Sequence, residues 1–114
     1  MQITKNLKVK EEVYTEILDN GMTVMIIPKK GIKKKYIIWG VHYGSIDSTF
    51  IVPGENQITE VPKGVAHFLE HKMFEQENGK NSLDVLTALG VNANAYTTND
   101  HTAYLYECTD NFYE

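Results

Sequence analysis

Residues 67–71 read His67-Phe68-Leu69-Glu70-His71, and this run decides how the rest of the chain is interpreted. On a helix, side chains four positions apart project about 40° from each other, so both imidazoles can reach one metal ion. Glu70 projects about 60° to one side of His67, where a carboxylate can take a proton from a water beside that ion. The spacing therefore predicts a catalytic metal site on a helix. The alternative is a solvated helix on which these are ordinary polar positions.

The flanking sequence supports a helix over about residues 63–75. Pro62 and Gly64 precede the motif, and a Pro-Gly stretch suits the start of a helix. On the helical wheel, Val65, Leu69 and Met73 form an apolar stripe roughly opposite the histidines. We expect this stripe to be the face that packs on the core.

Upstream of the motif, the pattern changes to that of strands. Residues 16–27 predict a hairpin around Asp19-Asn20-Gly21, because Asn-Gly suits the tight turns that join two antiparallel strands. Residues 36–43 predict a third strand, so uniformly apolar that both of its faces should be covered. Residues 1–16 are expected to be a loosely held lead-in, and residues 44–60 a turn-rich loop.

Downstream, the pattern predicts one helix and two strands. The helix should cover residues 82–89, capped by Asn81 or Ser82 and ended at Gly90. Residues 92–98 and 102–108 read as strands.

Together these elements predict an α+β fold, a mainly antiparallel sheet with the helices packed on one face. Residues 111–114 carry a capping-box pattern typical of the first turn of a helix. We therefore expect residues 17–114 to be part of a longer domain, interrupted at the start of that helix.

Composition excludes several classes of protein. The 114 residues suffice for one domain with a modest core, and the net charge of −4 disfavours a nucleic-acid partner. The five lysines between positions 29 and 35 are expected to form a solvated loop, and we expect His42 to be a packed or rim histidine.

The cellular location is predicted from the cysteine content and from the absence of long apolar runs. Cys108 is the only cysteine, which suits a reducing compartment. With no apolar leader and no apolar run of membrane length, we expect a cytoplasmic protein without a membrane partner.

Three blocks of the chain resemble the pitrilysin, insulinase and mitochondrial-processing-peptidase family of inverted zinc metallopeptidases, in a bacterial, processing-protease-like branch. The first is similar to the family's opening hairpin and reads Leu18-Asp19-Asn20-Gly21-Met22-Thr23-Val24. The second is similar to its zinc helix and reads Gly64-Val65-Ala66-His67-Phe68-Leu69-Glu70-His71-Lys72-Met73-Phe74. The third resembles a strand pair and reads Asn92-Ala93-Asn94-Ala95-Tyr96-Thr97 with Asp100-His101-Thr102-Ala103-Tyr104. The resemblance implies an incomplete processing-peptidase fold.

The resemblance also implies a chemistry. His67 and His71 would ligate Zn²⁺, and Glu70 would deprotonate a zinc-bound water that attacks a peptide carbonyl, which makes the full-length protein a zinc-dependent endopeptidase. A peptide or small protein substrate would add as an extra strand along the four residues Asn94, Ala95, Tyr96 and Thr97. The alternative for this strand is that Asn94 and Thr97 are ordinary sheet residues.

A catalytic zinc site uses three protein ligands, and the motif offers two of them, His67 and His71. The resemblance implies that the third is a glutamate beyond residue 114, and that a homologous second half or subunit closes the site. Glu75 follows His71 on the wheel, but it is two turns from His67 and is expected to be too distant. The isolated 114 residues should therefore bind zinc weakly and cleave peptides poorly.

Two other functions are compatible with the motif. One is a non-catalytic partner subunit of a paired assembly, although the complete motif of His67, Glu70 and His71 argues against it. The other is a metal-dependent S-ribosylhomocysteine lyase, which shares H-x-x-E-H but uses two cysteines. This chain has only Cys108, and its opening hairpin fits the peptidases better.

Overall fold

The computed structural model describes residues 2–6 and 8–109, and the chain divides into two units, Met1–Ile32 and Lys33–Glu114. The capping box predicted at residues 111–114 lies outside the described residues. Of the helices within the described ranges, none has the length and apolar character needed to cross a bilayer.

In the first unit, the described residues form a three-stranded antiparallel sheet. Its strands are, in spatial order, β1 (Gln2–Asn6), β2 (Glu11–Ile17) and β3 (Thr23–Ile26). The predicted hairpin is confirmed as β2–β3. In its turn the backbone N–H of Leu18 donates to the Met22 carbonyl at 2.9 Å, and Gly21 adopts a φ of +84°, which favours glycine. The structure differs from the expected lead-in, because β1 pairs along β2 from residue 2 onward.

The described residues of the second unit, 33–109, form two helices and two separate antiparallel sheets. Its elements are β4 (Lys35–Val41), β5 (Thr49–Ile51), β6 (Ile58–Glu60), α1 (Val65–Lys72), α2 (Ser82–Ala88), β7 (Asn92–Thr97) and β8 (Thr102–Cys108). The larger sheet has the order β4-β8-β7, and β5 pairs with β6. The three strands and two helices predicted for this part are confirmed, with α1 shorter than expected. The prediction of a loop over residues 44–60 missed β5 and β6, each only three residues long.

Both helices lie on one face of the larger sheet, which confirms the predicted α+β arrangement. Within the described residues, α1 packs on β7 and β8, and α2 packs on β7. Burial along β7 alternates with a period of two, as strand geometry requires. Ala93, Ala95 and Thr97 are partly buried, whereas Asn92, Asn94 and Tyr96 are exposed. The partly buried set therefore faces the helices.

The packing face of α1 differs from the predicted apolar stripe. Leu69 and Met73 are 45% and 68% exposed, while Ala66 and Glu70, with Phe74 just beyond the helix, are buried. These three positions follow the spacing i, i+4, i+8, so they share one side. The small Ala66 permits close approach to the sheet, and the Phe74 ring lies 5.8 Å from that of Tyr104. The apolar pattern predicted the wrong face because the residue at the centre of the buried face, Glu70, is charged and not apolar.

The expectation that β4 is covered on both faces is wrong for the part of the chain described. Trp39 is 54% exposed, and its neighbours in β4 are similarly open. Among the described elements, β4 contacts only β8, and neither helix crosses it. Its apolar side chains instead line one wall of a groove of about 500 Å³, which also includes Leu69, Met73 and Tyr104.

A loop after β4 is fixed to the turn between β7 and β8. The backbone N–H of Ser45 donates to the Thr98 carbonyl at 2.9 Å, and that of Ile46 donates to the Asn99 carbonyl at 3.0 Å. Gly44 is buried between them, and a Cβ there would overlap the backbone of Asn99. Only glycine allows this approach, which holds the end of β7 in place.

We predict that Gly44→Ala destabilises the protein by about 1–3 kcal/mol, because the added methyl must displace backbone atoms and not a flexible side chain. Gly40→Ala is the matched control, since a Cβ at Gly40 meets nothing within 4 Å. Thermal unfolding of both variants checks this. Equal melting temperatures for the two would contradict the packing described for Gly44.

Candidate functional site

Helix α1 places the two histidines of the motif side by side on its exposed surface. The helix begins after Gly64, whose φ of +93° turns the chain into the first turn. The Nε2 atoms of His67 and His71 are 3.0 Å apart, and their ring centroids are 4.8 Å apart. The two rings thus point to the same region of space, as the spacing predicted.

The donor atoms of this cluster fit a zinc ion. One atom each from His67, Glu70 and His71 lies within 4.8 Å of the others, and no other group of this kind occurs in residues 2–6 and 8–109. Tetrahedral zinc with Zn–N bonds of about 2.0–2.1 Å requires the two nitrogens to be roughly 3.3 Å apart. Opening the observed 3.0 Å separation by about 0.3 Å is within the reach of small rotations of both side chains. Glu75, which pairs with Lys72, is not part of the group.

Glu70 is the buried member of this cluster, while the two histidines lie at the surface. Its exposure is 8%, whereas both histidines are exposed. The hydroxyl of Thr97 on β7 donates a hydrogen bond to Glu70 Oε2 at 2.6 Å. A buried carboxylate without a partner costs several kcal/mol, and a hydrogen bond to a charged group recovers about 1.5–3 kcal/mol. The contact therefore joins α1 to the sheet at the centre of the site.

A second threonine continues this network into the sheet. Thr102 Oγ1 lies 3.3 Å from Thr97 Oγ1 and donates to the backbone carbonyl of Tyr43 at 2.9 Å. Because a carbonyl can only accept, the single proton of the Thr102 hydroxyl is directed toward Tyr43. The Thr97 proton is then left for Glu70, the strongest acceptor nearby.

The negative charge of Glu70 affects the pKa of Tyr104 on β8. Burial raises the pKa of the Tyr104 hydroxyl above its ordinary value, and the charges of Glu70 and Tyr106 raise it further. Tyr104 therefore stays neutral near pH 7, and its ring packs against Phe74.

The four residues predicted to bind substrate lie on β7, but their side chains divide between two faces. Asn94 and Tyr96 are on the exposed face, and Ala95 and Thr97 are on the helix side. In the described sheet β7 is a terminal strand that pairs only with β8. The Asn94 side chain accepts a hydrogen bond from the Ala95 backbone N–H at 2.9 Å, so this edge donor is already satisfied within the strand.

The turn after β7 has its own polar network. His101 Nδ1 lies 2.8 Å from Asp100 Oδ1 and 2.9 Å from Thr98 Oγ1. Hydrogen bonds from His101 and Thr98 lower the pKa of the exposed Asp100 carboxyl. The Tyr96 ring packs edge-on against His101 at 5.8 Å. This turn fixes the end of the strand that carries Thr97.

Sequence reasoning missed Thr102, Tyr43 and Tyr104 as neighbours of the motif. A signal for Thr97 was present, since the alternation over Asn92–Thr97 places it with Ala93 and Ala95. Two alanines and a threonine on one face of a strand suit close approach by a helix. The hydrogen bond from Thr102 to Tyr43 had no such signal, because its acceptor is a backbone carbonyl, which every residue has.

Comparison with known proteins decides the family. The family described as insulinase, peptidase family M16, matches residues 50–113, which is more than half of the chain. The chain belongs to this family.

Individual relatives agree. The chain is 43% identical over 104 residues to the uncharacterised zinc protease YmfH of Bacillus subtilis, covering 91% of this chain and 24% of that protein. A crystal structure of a putative M16-like peptidase from Alicyclobacillus acidocaldarius matches with a TM-score of 0.77 and 40% identity, covering 89% of this chain and 23% of that one.

A more distant relative is named as a subunit of a respiratory complex and not as a protease. The chain is 29% identical over 107 residues to a mitochondrial core protein I of the ubiquinol-cytochrome-c reductase complex from Euglena gracilis, covering 91% of this chain and 19% of that protein. The chain thus spans about a quarter or less of the length of these relatives.

We predict that Glu70→Gln lowers the pKa of Tyr104 in metal-free protein, because a negative charge that opposes ionisation is removed. The pKa should stay above its ordinary value, since the burial of Tyr104 remains. Titration of ¹³C-labelled tyrosine by NMR measures this. Tyr14 is the internal control, because Glu12 and not Glu70 raises its pKa. An unchanged Tyr104 pKa would contradict the placement of Glu70.

Proposed function

We propose that this chain is the N-terminal part of the catalytic domain of a zinc-dependent endopeptidase. One observation carries the proposal, namely that two exposed imidazoles converge beside a buried glutamate that a threonine holds in place. The name of the Bacillus relative, a zinc protease, and the peptidase family support it.

His67 and His71 would hold the zinc through their Nε2 atoms, which lie closest to each other. A zinc ion bound there supplies Lewis acidity, which lowers the pKa of water and polarises a carbonyl. The exposure of both histidines leaves the region between them open to a substrate.

Glu70 is the proposed general base. In hydrolysis the attacking water loses a proton as its oxygen bonds to the peptide carbon, and the departing amine gains one as the C–N bond breaks. A single carboxylate can take the first proton and deliver it to the amine nitrogen, so the cycle returns Glu70 to its starting form. Its position beside both histidines suits this double role.

The edge of β7 is the proposed substrate site. A peptide in extended form would add beside Asn94, Ala95, Tyr96 and Thr97 through main-chain hydrogen bonds, which accept varied sequences. Because Asn94 already accepts the Ala95 N–H, its side chain must move before a substrate carbonyl can use that donor. Substrate addition at this position is therefore expected to be coupled to a rotation of Asn94.

The rest of the protein must complete the site. Two histidines leave one protein ligand to be supplied, and we propose a carboxylate from beyond this chain, which spans 24% of its Bacillus relative. A homologous second half or subunit is the proposed partner that closes the site. The isolated chain should accordingly bind zinc weakly.

A second candidate function is that of a non-catalytic subunit in an assembly. The similarity to a core protein of a respiratory complex favours it. The peptidase proposal is preferred because His67, Glu70 and His71 are all present and lie together. Peptidase activity of the full-length protein distinguishes the two. The family match gives no support to the lyase alternative.

We predict that Glu70→Gln in the full-length protein lowers kcat for a peptide substrate by about 10²–10⁴-fold, because the amide cannot accept the proton from water. Zinc content should remain at the wild-type level, since both imidazoles are intact. Steady-state kinetics and metal analysis of the same preparations measure both quantities.

Glu75→Gln is the matched control for this experiment. Glu75 is exposed, lies three residues beyond α1 and pairs with Lys72, so its replacement should leave kcat unchanged. Hydrolysis that survives in Glu70→Gln with zinc still bound would refute the role proposed for Glu70.

A further inference from the structure

Thr97 occupies an unexpected place for a residue on the proposed substrate strand. Its side chain is partly buried on the helix side of β7, while Asn94 and Tyr96 point to the exposed face. The Thr97 hydroxyl contacts Glu70 and Thr102. The side chain is therefore engaged with the catalytic helix, and only the backbone of Thr97 is at the strand edge.

The acceptors at the two ends of this network, the Tyr43 carbonyl and the Glu70 carboxylate, determine which way each threonine hydroxyl donates. The Tyr43 carbonyl accepts from Thr102, so Thr102 has no proton left for Thr97. The Thr97 hydroxyl has one proton, and the carboxylate oxygen at 2.6 Å is a closer and stronger acceptor than the hydroxyl oxygen at 3.3 Å. Thr97 thus donates to Glu70 Oε2.

The two oxygens of Glu70 are consequently different. Oε2 is bound by Thr97, whereas Oε1 has no hydrogen-bond partner among residues 2–6 and 8–109. A base that exchanges protons needs one lone pair free and a fixed orientation of its carboxylate plane. Holding a reacting group in place removes orientational freedom that would otherwise be lost at the transition state.

We propose that Thr97 is a positioning residue that anchors Oε2 of Glu70, so that Oε1 is the oxygen that takes and returns the proton. This role rests on the proposed peptidase function. It also assigns to the Thr97 side chain a task separate from binding the substrate. Thr102 and the carbonyl of Tyr43 support the role by leaving the Thr97 proton for Glu70.

Two substitutions at Thr97 separate the hydroxyl from the shape of the side chain. Thr97→Val keeps the branched shape and removes the hydroxyl, while Thr97→Ser keeps the hydroxyl and removes a methyl group. In the full-length, zinc-loaded protein we expect kcat to fall about 10–100-fold in the valine variant and to stay within about threefold of wild type in the serine variant. KM and zinc content should change little in either.

Stability should follow the same order. Valine leaves the buried Glu70 carboxylate without its hydroxyl donor, so the valine variant should melt at a lower temperature than the serine variant, and kcat is compared at a temperature where both are folded. Thr49→Val, at an exposed strand position on β5, is the matched control and should leave kcat unchanged. Crystal structures of both Thr97 variants give a readout independent of activity, with the Glu70 carboxylate rotated in the valine variant and unmoved in the serine variant.

Several results would overturn the proposal. They are a wild-type kcat in Thr97→Val, an effect on KM alone, or a Glu70 carboxylate that keeps its position without the hydroxyl. In these cases the peptidase function still stands if Glu70→Gln is inactive with zinc bound. A wild-type protein without zinc-dependent hydrolysis would remove the peptidase function and this role together.

Discussion

The hydrogen bond from Thr97 to Glu70 is the interaction on which the site depends. It satisfies a carboxylate that α1 buries against the sheet, at a distance of 2.6 Å. Without this donor, Glu70 would lie in a mostly apolar contact between Ala66 and Phe74, where a charge is costly. The rotation of α1 about its own axis follows from this contact. With Glu70 against β7, the histidines on either side of it in sequence must project to the surface.

The same contact explains how a short helix can hold the side chains of the proposed catalytic site. Helix α1 has only eight residues, a length that is marginal without tertiary contacts. It is supported by β7 and β8, and these strands are in turn fixed by the turn that Gly44 approaches closely. The proposed chemistry therefore rests on the sheet as much as on the motif. A rigid support of this kind is what orientation of a base requires.

Much of this arrangement follows from the sequence. Asn20-Gly21, Asn81 and the alternation in Asn92–Thr97 are local signals, and the elements that they predict are present. The helical spacing of His67 and His71 likewise brings the rings together. Local rules succeed here because neighbouring residues alone determine each feature.

The sequence was misleading where distant residues decide the outcome. Leu69 and Met73 look like a packing stripe, yet the buried face of α1 contains Glu70, because Thr97 offers that carboxylate a partner 27 positions away. The apolar β4 predicted two covered faces, but in the described residues neither helix crosses it. Strand β1 had no apolar pattern of its own and forms by pairing with β2. Each case depends on tertiary contacts that a local pattern does not contain.

Anomalous diffraction at the zinc edge from crystals of the full-length protein would show where the metal binds. We expect one strong peak about 2.0–2.1 Å from Nε2 of both His67 and His71, with the Thr97–Glu70 hydrogen bond intact beside it. A peak bound to only one of these histidines, or located away from α1, would contradict this expectation.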